Sequence, residues 1–212
     1  MYKSTYKRII DFLLSFVGFI LLALPLLIIS LLIVIDDPGP VFFSQKRVGI
    51  RKNGELTYFK LLKFRSMKVN TPHDTPTHLL ENPDAYITRV GKFLRKTSID
   101  ELPQIINIIK GEMSIIGPRP ALWNQYDLIE ERDKYGANEV KPGLTGWAQI
   151  NGRDELEIAE KARLDGEYVK NMSLGFDVKC FFATIFAVVK SEGVVEGAST
   201  ADNGMLQEKV MK

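Results

Sequence analysis

Residues 98–103, with the sequence Ser-Ile-Asp-Glu-Leu-Pro, place Asp100 and Glu101 at the start of a predicted helix that runs to about Lys110. Ser98 and Glu101 have the spacing of a capping box, and a proline in the first helical turn costs little because no N–H partner is needed there. The free N–H groups of such a helix start favour an ionised carboxylate and also attract phosphate oxygens. A nucleophilic carboxylate and a phosphate electrophile can therefore meet at this point, although most acidic pairs at helix starts are only caps.

Four cationic side chains are candidates for holding that phosphate: Lys63, Arg65, Arg95 and Arg119. Lys63 and Arg65 alternate along a predicted strand and would share one face of it. Arg95 precedes Asp100 by five residues at the end of a predicted helix over 85–97. Arg119 lies between two prolines, whose fixed dihedral angles reduce the entropy lost in presenting a guanidinium to an anion. A solvated basic strand and a rigid turn are the structural alternatives.

A polar loop from Val140 to Arg153 contains four glycines or prolines, and we predict that its glycines let the backbone approach a ligand closely. Trp147 within it would either stack on a base or rest at a lipid interface. Asn151, Gly152 and Arg153 close the loop and are candidate nucleotide or sugar contacts.

These candidates follow an apolar stretch of 24 residues, 12–35, that carries no charged side chain. As a helix it would be about 36 Å long, enough to cross a hydrocarbon core of about 30 Å. The stretch is too long for a cleaved signal peptide. Pro25 favours a kink near its middle, and Lys and Arg flank both ends, which suggests that both ends remain on the cytoplasmic side. The residues alone leave a re-entrant and a spanning helix equally open.

The remaining patterns predict an α+β, mostly helical fold. Asn53-Gly54 between two apolar runs predicts a β-hairpin. A helix is expected over 121–135 and another over 155–170, and residues 69–83, with two histidines, are expected to form a loop. The apolar segment 176–189 is too short to span a bilayer and is expected to be core or an interfacial amphipathic helix. We divide the chain into a membrane helix (1–36), a catalytic domain (37–190) and a tail (191–212).

Charge is unevenly distributed, although the whole chain has a net charge of only +2. Residues 1–68 contain eleven Lys or Arg against four acids, a surplus of seven, so that the remainder has a net charge of −5. A basic N-terminal third favours phosphate ligands or an anionic membrane surface. The single cysteine, Cys180, excludes an internal disulfide.

Six motifs occur together in one order, and with them the chain resembles the bacterial sugar transferases, the small monotopic polyprenyl-phosphate phosphoglycosyl transferases. The resemblance covers nearly the whole chain, from about residue 7 to about 197. The motifs are Lys63-Phe64-Arg65-Ser66-Met67, Asp100-Glu101-Leu102-Pro103-Gln104, Lys110-Gly111-Glu112-Met113-Ser114, Gly117-Pro118-Arg119-Pro120, Pro142-Gly143-Leu144-Thr145-Gly146 and Gln149-Ile150-Asn151-Gly152-Arg153.

The resemblance implies an enzyme that moves a phospho-sugar from a UDP-sugar to undecaprenyl phosphate and releases UMP at the cytoplasmic face of the bacterial inner membrane. Asp100 would be the nucleophile, Glu101 the second acid, and Mg²⁺ would bind at both. The four cations named above match the family's phosphate-binding positions, and Pro25 matches the break of its re-entrant helix. Relatives commonly have Ser before that proline, where this chain has Leu24.

Two other functions remain as alternatives: Asp100 as a general base for direct attack by the lipid phosphate, and a membrane-bound scaffold without turnover. The first is disfavoured because a lipid phosphate needs no deprotonation at neutral pH. No nucleic-acid partner is expected, and the sequence indicates neither an oligomeric state nor a particular sugar. Residues 196–200 loosely resemble relatives that use N-acetylated amino sugars, which makes a UDP-HexNAc or UDP-diacetylbacillosamine one expectation.

Overall fold

The computed structural model describes residues 2–71, 83–152 and 156–190, which form a mostly helical α+β protein. Both histidines of the 69–83 loop, Arg153 and the tail from residue 191 lie outside the described residues. The helices and strands are α1 (Lys7–Asp36), β1 (Phe42–Lys52), β2 (Glu55–Phe64), α2 (Pro83–Tyr86), α3 (Arg89–Lys96), α4 (Gln104–Lys110), β3 (Ser114–Ile116), α5 (Tyr126–Asp133), β4 (Gly143–Thr145), α6 (Trp147–Ile150), α7 (Ile158–Asn171) and α8 (Leu174–Lys190).

The predicted hairpin is confirmed, with β1 and β2 paired antiparallel around the Asn53-Gly54 turn. Both turn residues have positive φ, 50° and 84°, as the tight hairpin turn requires. One face of β2 contributes Phe59 and Leu61 to a buried cluster with Ile108 of α4. The hairpin therefore lies directly against the helix that follows the acidic pair.

Two helices predicted from the sequence are shorter than expected. The 85–97 helix is interrupted between α2 and α3, where Thr88 accepts a hydrogen bond from the Gly91 N–H and so starts a new helix. The 121–135 helix is reduced to α5, because residues 121 and 122 instead pair with β1. Tertiary contacts with the hairpin override the local helical pattern in this case.

The second sheet is a short parallel pair, β3 and β4, which brings three glycines together. A Cβ at Gly143 would lie 2.1 Å from the Gly117 nitrogen, and one at Gly146 would lie 2.0 Å from the Gly117 oxygen. The close contact with Gly117 is a structural reason for glycine at 143 and 146, and the approach of the loop backbone to a ligand stays a prediction. Their small size serves a backbone-to-backbone contact within the protein.

Helix α1 is continuous over 30 residues with Pro25 inside it, and in the described residues it is the one helix long and apolar enough to cross a membrane. One stripe of α1 is buried or partly buried at helical spacing, and most of its other apolar side chains are exposed. The stripe comprises Lys7, Asp11, Ser15, Gly18, Leu22, Leu26, Ile29 and Ile33. The kink at Pro25 stays a prediction.

Both ends of α1 are bound to the same globular part. Near its start, Asp11 accepts a 2.8 Å hydrogen bond from Ser114 Oγ of β3. At its end, Asp36 accepts a 2.9 Å bond from the Val90 N–H, and Asp37 forms an ion pair with Arg65. The start and the end of α1 are thus both in contact with that part of the protein.

Helix α8 has two faces of opposite character. Its inner face buries Cys180 completely, in a cluster with Ile116 and Tyr168. Its outer face exposes a set of large apolar side chains, as an interfacial helix would. The set is Leu174, Val178, Phe181, Phe182, Ile185 and Phe186.

Candidate active site

The acidic pair is not held by a helix cap. Residues 99–101 form a single 3-10 turn, α4 begins only at Gln104, and Ser98 has a left-handed backbone with no side-chain cap. The predicted capping box is therefore wrong. The Glu101 carboxylate instead accepts hydrogen bonds from Lys63 and Arg119, which hold it away from the backbone of Ser98.

Lys63 and Arg119 converge on the acidic pair from two different elements. Lys63, on β2, lies 2.7 Å from Glu101 Oε1 and 3.8 Å from Asp100 Oδ2. Arg119, in the loop after β3, donates at 2.9 Å to Glu101 Oε1 and at 3.4 Å to Glu101 Oε2. Two of the four predicted phosphate-binding cations thus meet at the two predicted catalytic acids.

The two neighbouring carboxyls have opposite pKa shifts. Burial raises the pKa of the Asp100 carboxyl, and Lys63 opposes this only in part while the Glu101 charge adds to it. Burial would also raise the pKa of Glu101, but Arg119 and Lys63 outweigh it and hold that pKa well below the usual range. Because Lys63 Nζ is beyond hydrogen-bond distance of Asp100, the cations stabilise mainly the Glu101 charge.

The other two predicted cations are placed differently. Arg95 is half-buried on α3 and close enough to Asp100 that its charge lowers the pKa of that carboxyl. Arg65 follows the last residue of β2, is 6% exposed, and binds the side chain and backbone oxygen of Asp37. In this structure Arg65 therefore secures the end of α1, and its guanidinium is not directed at the acidic pair.

The Asn151–Gly152 turn follows α6 and is partly exposed. Asn151 Nδ2 donates a 2.7 Å hydrogen bond to the Trp147 oxygen, which closes the turn. Trp147 packs against Phe176 with ring centroids 5.0 Å apart, and Lys179 Nζ lies 4.9 Å from its ring centroid. Trp147 is therefore part of the contact between α6 and α8, and the contribution of Asn151 and Gly152 to ligand binding stays a prediction.

The acidic pair can supply ligands to a hard divalent cation. Asp100 and Glu101 are adjacent carboxylates, and in the described residues no cluster of three or more His, Cys, Asp or Glu side chains offers an all-protein cage. Mg²⁺ commonly binds through one or two carboxylates together with substrate phosphates. A bound cation would also offset the raised pKa of the buried Asp100 carboxyl. The two acids therefore fit Mg²⁺.

The site lies next to the end of the apolar helix. Ile99, immediately before the acidic pair, packs against a cluster formed by Ile33 of α1, Phe64 of β2 and Leu94 of α3. Asp100 thus directly follows a residue whose side chain packs close to α1.

Comparison with known proteins assigns the chain. Residues 2–191 match the family described as bacterial sugar transferase, and the chain belongs to that family. It is 44% identical over 188 residues to the UDP-glucose:undecaprenyl-phosphate glucose-1-phosphate transferase of Escherichia coli K12, a match that covers 85% of this chain and 39% of that protein. The exopolysaccharide production protein ExoY of Sinorhizobium fredii is 38% identical over 201 residues, covering 88% of this chain and 87% of ExoY. The galactosyl transferase CpsE of Streptococcus agalactiae is 39% identical over 168 residues, covering 74% of this chain and 36% of CpsE.

Sequence reasoning missed three charged residues that support the site. Asp37 binds Arg65, and the buried pair of Arg132 and Asp165 lies behind the loop that carries Arg119. Arg132 and Asp165 are 33 residues apart on α5 and α7, within runs of charged residues typical of solvated helix faces. No local pattern distinguishes them from their exposed neighbours.

Proposed function

We propose that this protein transfers a phospho-sugar from a UDP-sugar to undecaprenyl phosphate, giving undecaprenyl-diphospho-sugar and UMP. Family membership supports the substrate classes, since the E. coli relative is named for this kind of transfer. The observation that carries the proposal is the asymmetric acidic pair: Glu101 is neutralised by Lys63 and Arg119, and Asp100 is left as the buried, more basic carboxylate.

The proposed reaction has two displacement steps at the same phosphorus atom. In the first, an Asp100 oxygen attacks the sugar-linked β-phosphorus, the bond from that phosphorus to the bridging oxygen breaks, and UMP leaves with the electron pair. In the second, an oxygen of undecaprenyl phosphate attacks the acyl phosphate, and the Asp100 carboxylate is regenerated. Neither step requires an external oxidant, reductant or water.

The cations have a role in both steps. Lys63 and Arg119 are already within reach of the acidic pair and would neutralise charge that develops on the diphosphate and on departing UMP. Once they contact phosphate, Glu101 needs another positive partner. We propose Mg²⁺, held by Asp100 and Glu101 with the substrate phosphates; when bound it supplies electrostatic stabilisation of the phosphoryl group.

We further propose that the protein is monotopic, with α1 entering and leaving the cytoplasmic leaflet of the inner membrane and α8 lying at its surface. Two features support this: both ends of α1 are bound to one globular part, and the exposed faces of α1 and α8 are apolar. An acceptor whose chain stays in the bilayer meets a nucleophile only at headgroup depth, and the packing of Ile99 near Ile33 suits that depth. The cytoplasmic face follows from the location of UDP-sugars.

The sugar has to be found by experiment. Purified protein is supplied with Mg²⁺, undecaprenyl phosphate and a panel of UDP-sugars that includes glucose, galactose and N-acetylhexosamines, and UMP release is measured. At least one sugar is expected to support turnover. Asp100→Asn is expected to abolish it and Glu101→Gln to reduce it heavily, whereas near-normal turnover of Asp100→Asn would refute the covalent route.

Omission of the acceptor separates the covalent route from direct transfer. With UDP-sugar alone, the proposed route gives one equivalent of UMP and a protein adduct with the mass of the phospho-sugar, absent in Asp100→Asn. If Asp100 acted as a general base, UMP release would require the lipid phosphate and no adduct would form.

A further inference from the structure

The loop that carries Arg119 is held by a continuous series of hydrogen bonds. Four successive backbone oxygens, from residues 118 to 121, each accept a hydrogen bond from a residue outside the loop. The donors are the Gly143 N–H (2.8 Å), Arg132 Nη1 (2.9 Å), Arg47 Nη1 (3.0 Å) and the Val48 N–H (3.0 Å), in the order of the accepting residues. The backbone of this loop is therefore tied to the rest of the protein at four successive peptide units.

The bond from Arg132 has a particular effect on Arg119. Because Pro120 has no N–H, the peptide unit between residues 119 and 120 has one hydrogen-bonding group, the Arg119 oxygen. Arg132 is its donor, at 2.9 Å. The preceding peptide unit is held by Gly143, so the planes on both sides of the Arg119 α-carbon are fixed. The direction of its α–β bond, and thus the position from which its guanidinium reaches the acidic pair, is set by these two bonds.

Arg132 is itself held by a buried carboxylate. Its Nε donates at 2.8 Å to Asp165 Oδ2, and its Nη2 lies 2.6 Å from the same oxygen. Arg132 is 2% exposed and Asp165 1% exposed, so water does not compete for either partner. The planar guanidinium presents one edge to the carboxylate while a further N–H points at the Arg119 oxygen, a fixed geometry that the rotatable ammonium of a lysine does not have.

We propose that Arg132, oriented by Asp165, is a positioning residue for Arg119 in phospho-sugar transfer. The pair lies behind the loop, on α5 and α7, and acts on the substrate only through Arg119. This inference rests on the proposed function for its kinetic consequences, but its structural part, the immobilisation of residues 117–122, can be tested separately.

The experiment compares Asp165→Asn and Arg132→Lys with wild type, alone and combined with Arg119→Ala. Each single variant is expected to lower kcat/KM for UMP release by about tenfold or more, because small displacements of a group that stabilises the reacting centre are costly. In the Arg119→Ala background the same changes are expected to lower kcat/KM by less than about twofold, because the side chain that they position has been removed.

The matched control is Asp177→Asn, which removes another buried carboxylate that accepts from Lys7 Nζ at 2.6 Å and from Tyr168 at 2.8 Å. It is expected to lower the melting temperature by a similar amount, and its effect on kcat/KM should multiply with that of Arg119→Ala. Two results would show that the Arg132–Asp165 pair is only structural and would overturn the proposal. One is an equal loss of kcat/KM in Asp165→Asn and Asp177→Asn, and the other is a loss of kcat/KM in Asp165→Asn that is independent of Arg119→Ala.

Hydrogen exchange at residues 117–122 provides the measurement that does not depend on activity. Faster exchange there in Asp165→Asn, but not in Asp177→Asn, supports the proposal, and unchanged exchange refutes it. If wild type released UMP from no UDP-sugar, the proposed function would fail while this comparison would still decide the positioning role.

Discussion

The opposite pKa shifts of the acidic pair lead to a prediction for Lys63→Gln. In the proposed reaction Asp100 must be ionised to attack, so the rate of the first step should fall as the pH drops through its pKa, which burial has raised above the ordinary value. Lys63 lowers that pKa, and its removal should raise it further. The acid limb of the pH profile is therefore expected to move to higher pH.

The size of the shift follows from the distance between the charges. Lys63 Nζ lies 3.8 Å from Asp100 Oδ2. Two unit charges about 4 Å apart interact by about 1 kcal/mol in bulk water and about 4 kcal/mol at an effective dielectric constant of about 20. Because Lys63 is partly exposed and shared with Glu101, the lower part of that range applies. Loss of this interaction should therefore move the acid limb to higher pH.

Single-turnover UMP release without acceptor lipid is the appropriate assay. Each phosphorus of a UDP-sugar carries one ester and one anhydride bond and does not titrate near neutral pH, and omission of undecaprenyl phosphate removes its ionisation from the profile. The pH dependence of the second-order rate constant for UMP release, measured at subsaturating UDP-sugar, then reports groups of the free enzyme. Loss of phosphate binding by Lys63 lowers the plateau of the profile but does not move its limb.

Lys60→Gln provides the control, since it removes the same charge from the exposed face of the same strand. Its acid limb should coincide with that of wild type. A Lys63→Gln limb that stays in place, or moves to lower pH, would show that Asp100 is not the group whose ionisation limits the first step.

Three further predictions concern residues around the site. Arg65→Ala should lower the free energy of unfolding by about 2–3 kcal/mol in denaturant titrations, and adding Asp37→Asn should lower it little further. A change in KM on Arg65→Ala that persists in the Asp37→Asn background would instead indicate that Arg65 binds substrate. Gly146→Ala should lower the free energy of unfolding by about 1–3 kcal/mol, because the new Cβ would lie 2.0 Å from the Gly117 oxygen. An unchanged melting temperature would contradict this packing. A fluorophore attached through Phe186→Cys should be quenched by brominated lipids in reconstituted vesicles, and one attached at exposed Lys134 should not; equal quenching would refute the proposed orientation of α8.

The fold was predictable wherever a local pattern determined it. The Asn53-Gly54 turn needs two residues with positive φ, and Gly111, with φ of 86°, ends α4 as expected. Predictions failed where a distant partner competed with a local one. Glu101 has the spacing for a capping box, but Lys63, 38 residues away, takes its carboxylate.

In the candidate site, the structure brings Lys63 and Arg119 to the acidic pair as the sequence suggested, but it places Arg65 elsewhere. Strand alternation puts residues 63 and 65 on one face, yet β2 ends at residue 64, and Arg65 turns to Asp37 beyond it. The support of Arg119 by Arg132 could not be anticipated, because it depends on α5 and α7 packing together. Sequence thus identifies groups that can do chemistry, and packing decides which of them point at one another.

The division of labour between the two adjacent carboxylates follows from where the cations lie. A carboxylate that is fully paired with cations is a poor nucleophile, because the cations already stabilise its charge and this stabilisation is lost when the carboxylate attacks. Lys63 and Arg119 concentrate this stabilisation on Glu101, and burial leaves Asp100 with the raised pKa. Environments that push the pKa values of two neighbouring acids apart assign them different roles. Asp100 is therefore the carboxylate suited to attack phosphorus, and Glu101 is the one suited to hold positive charge beside it.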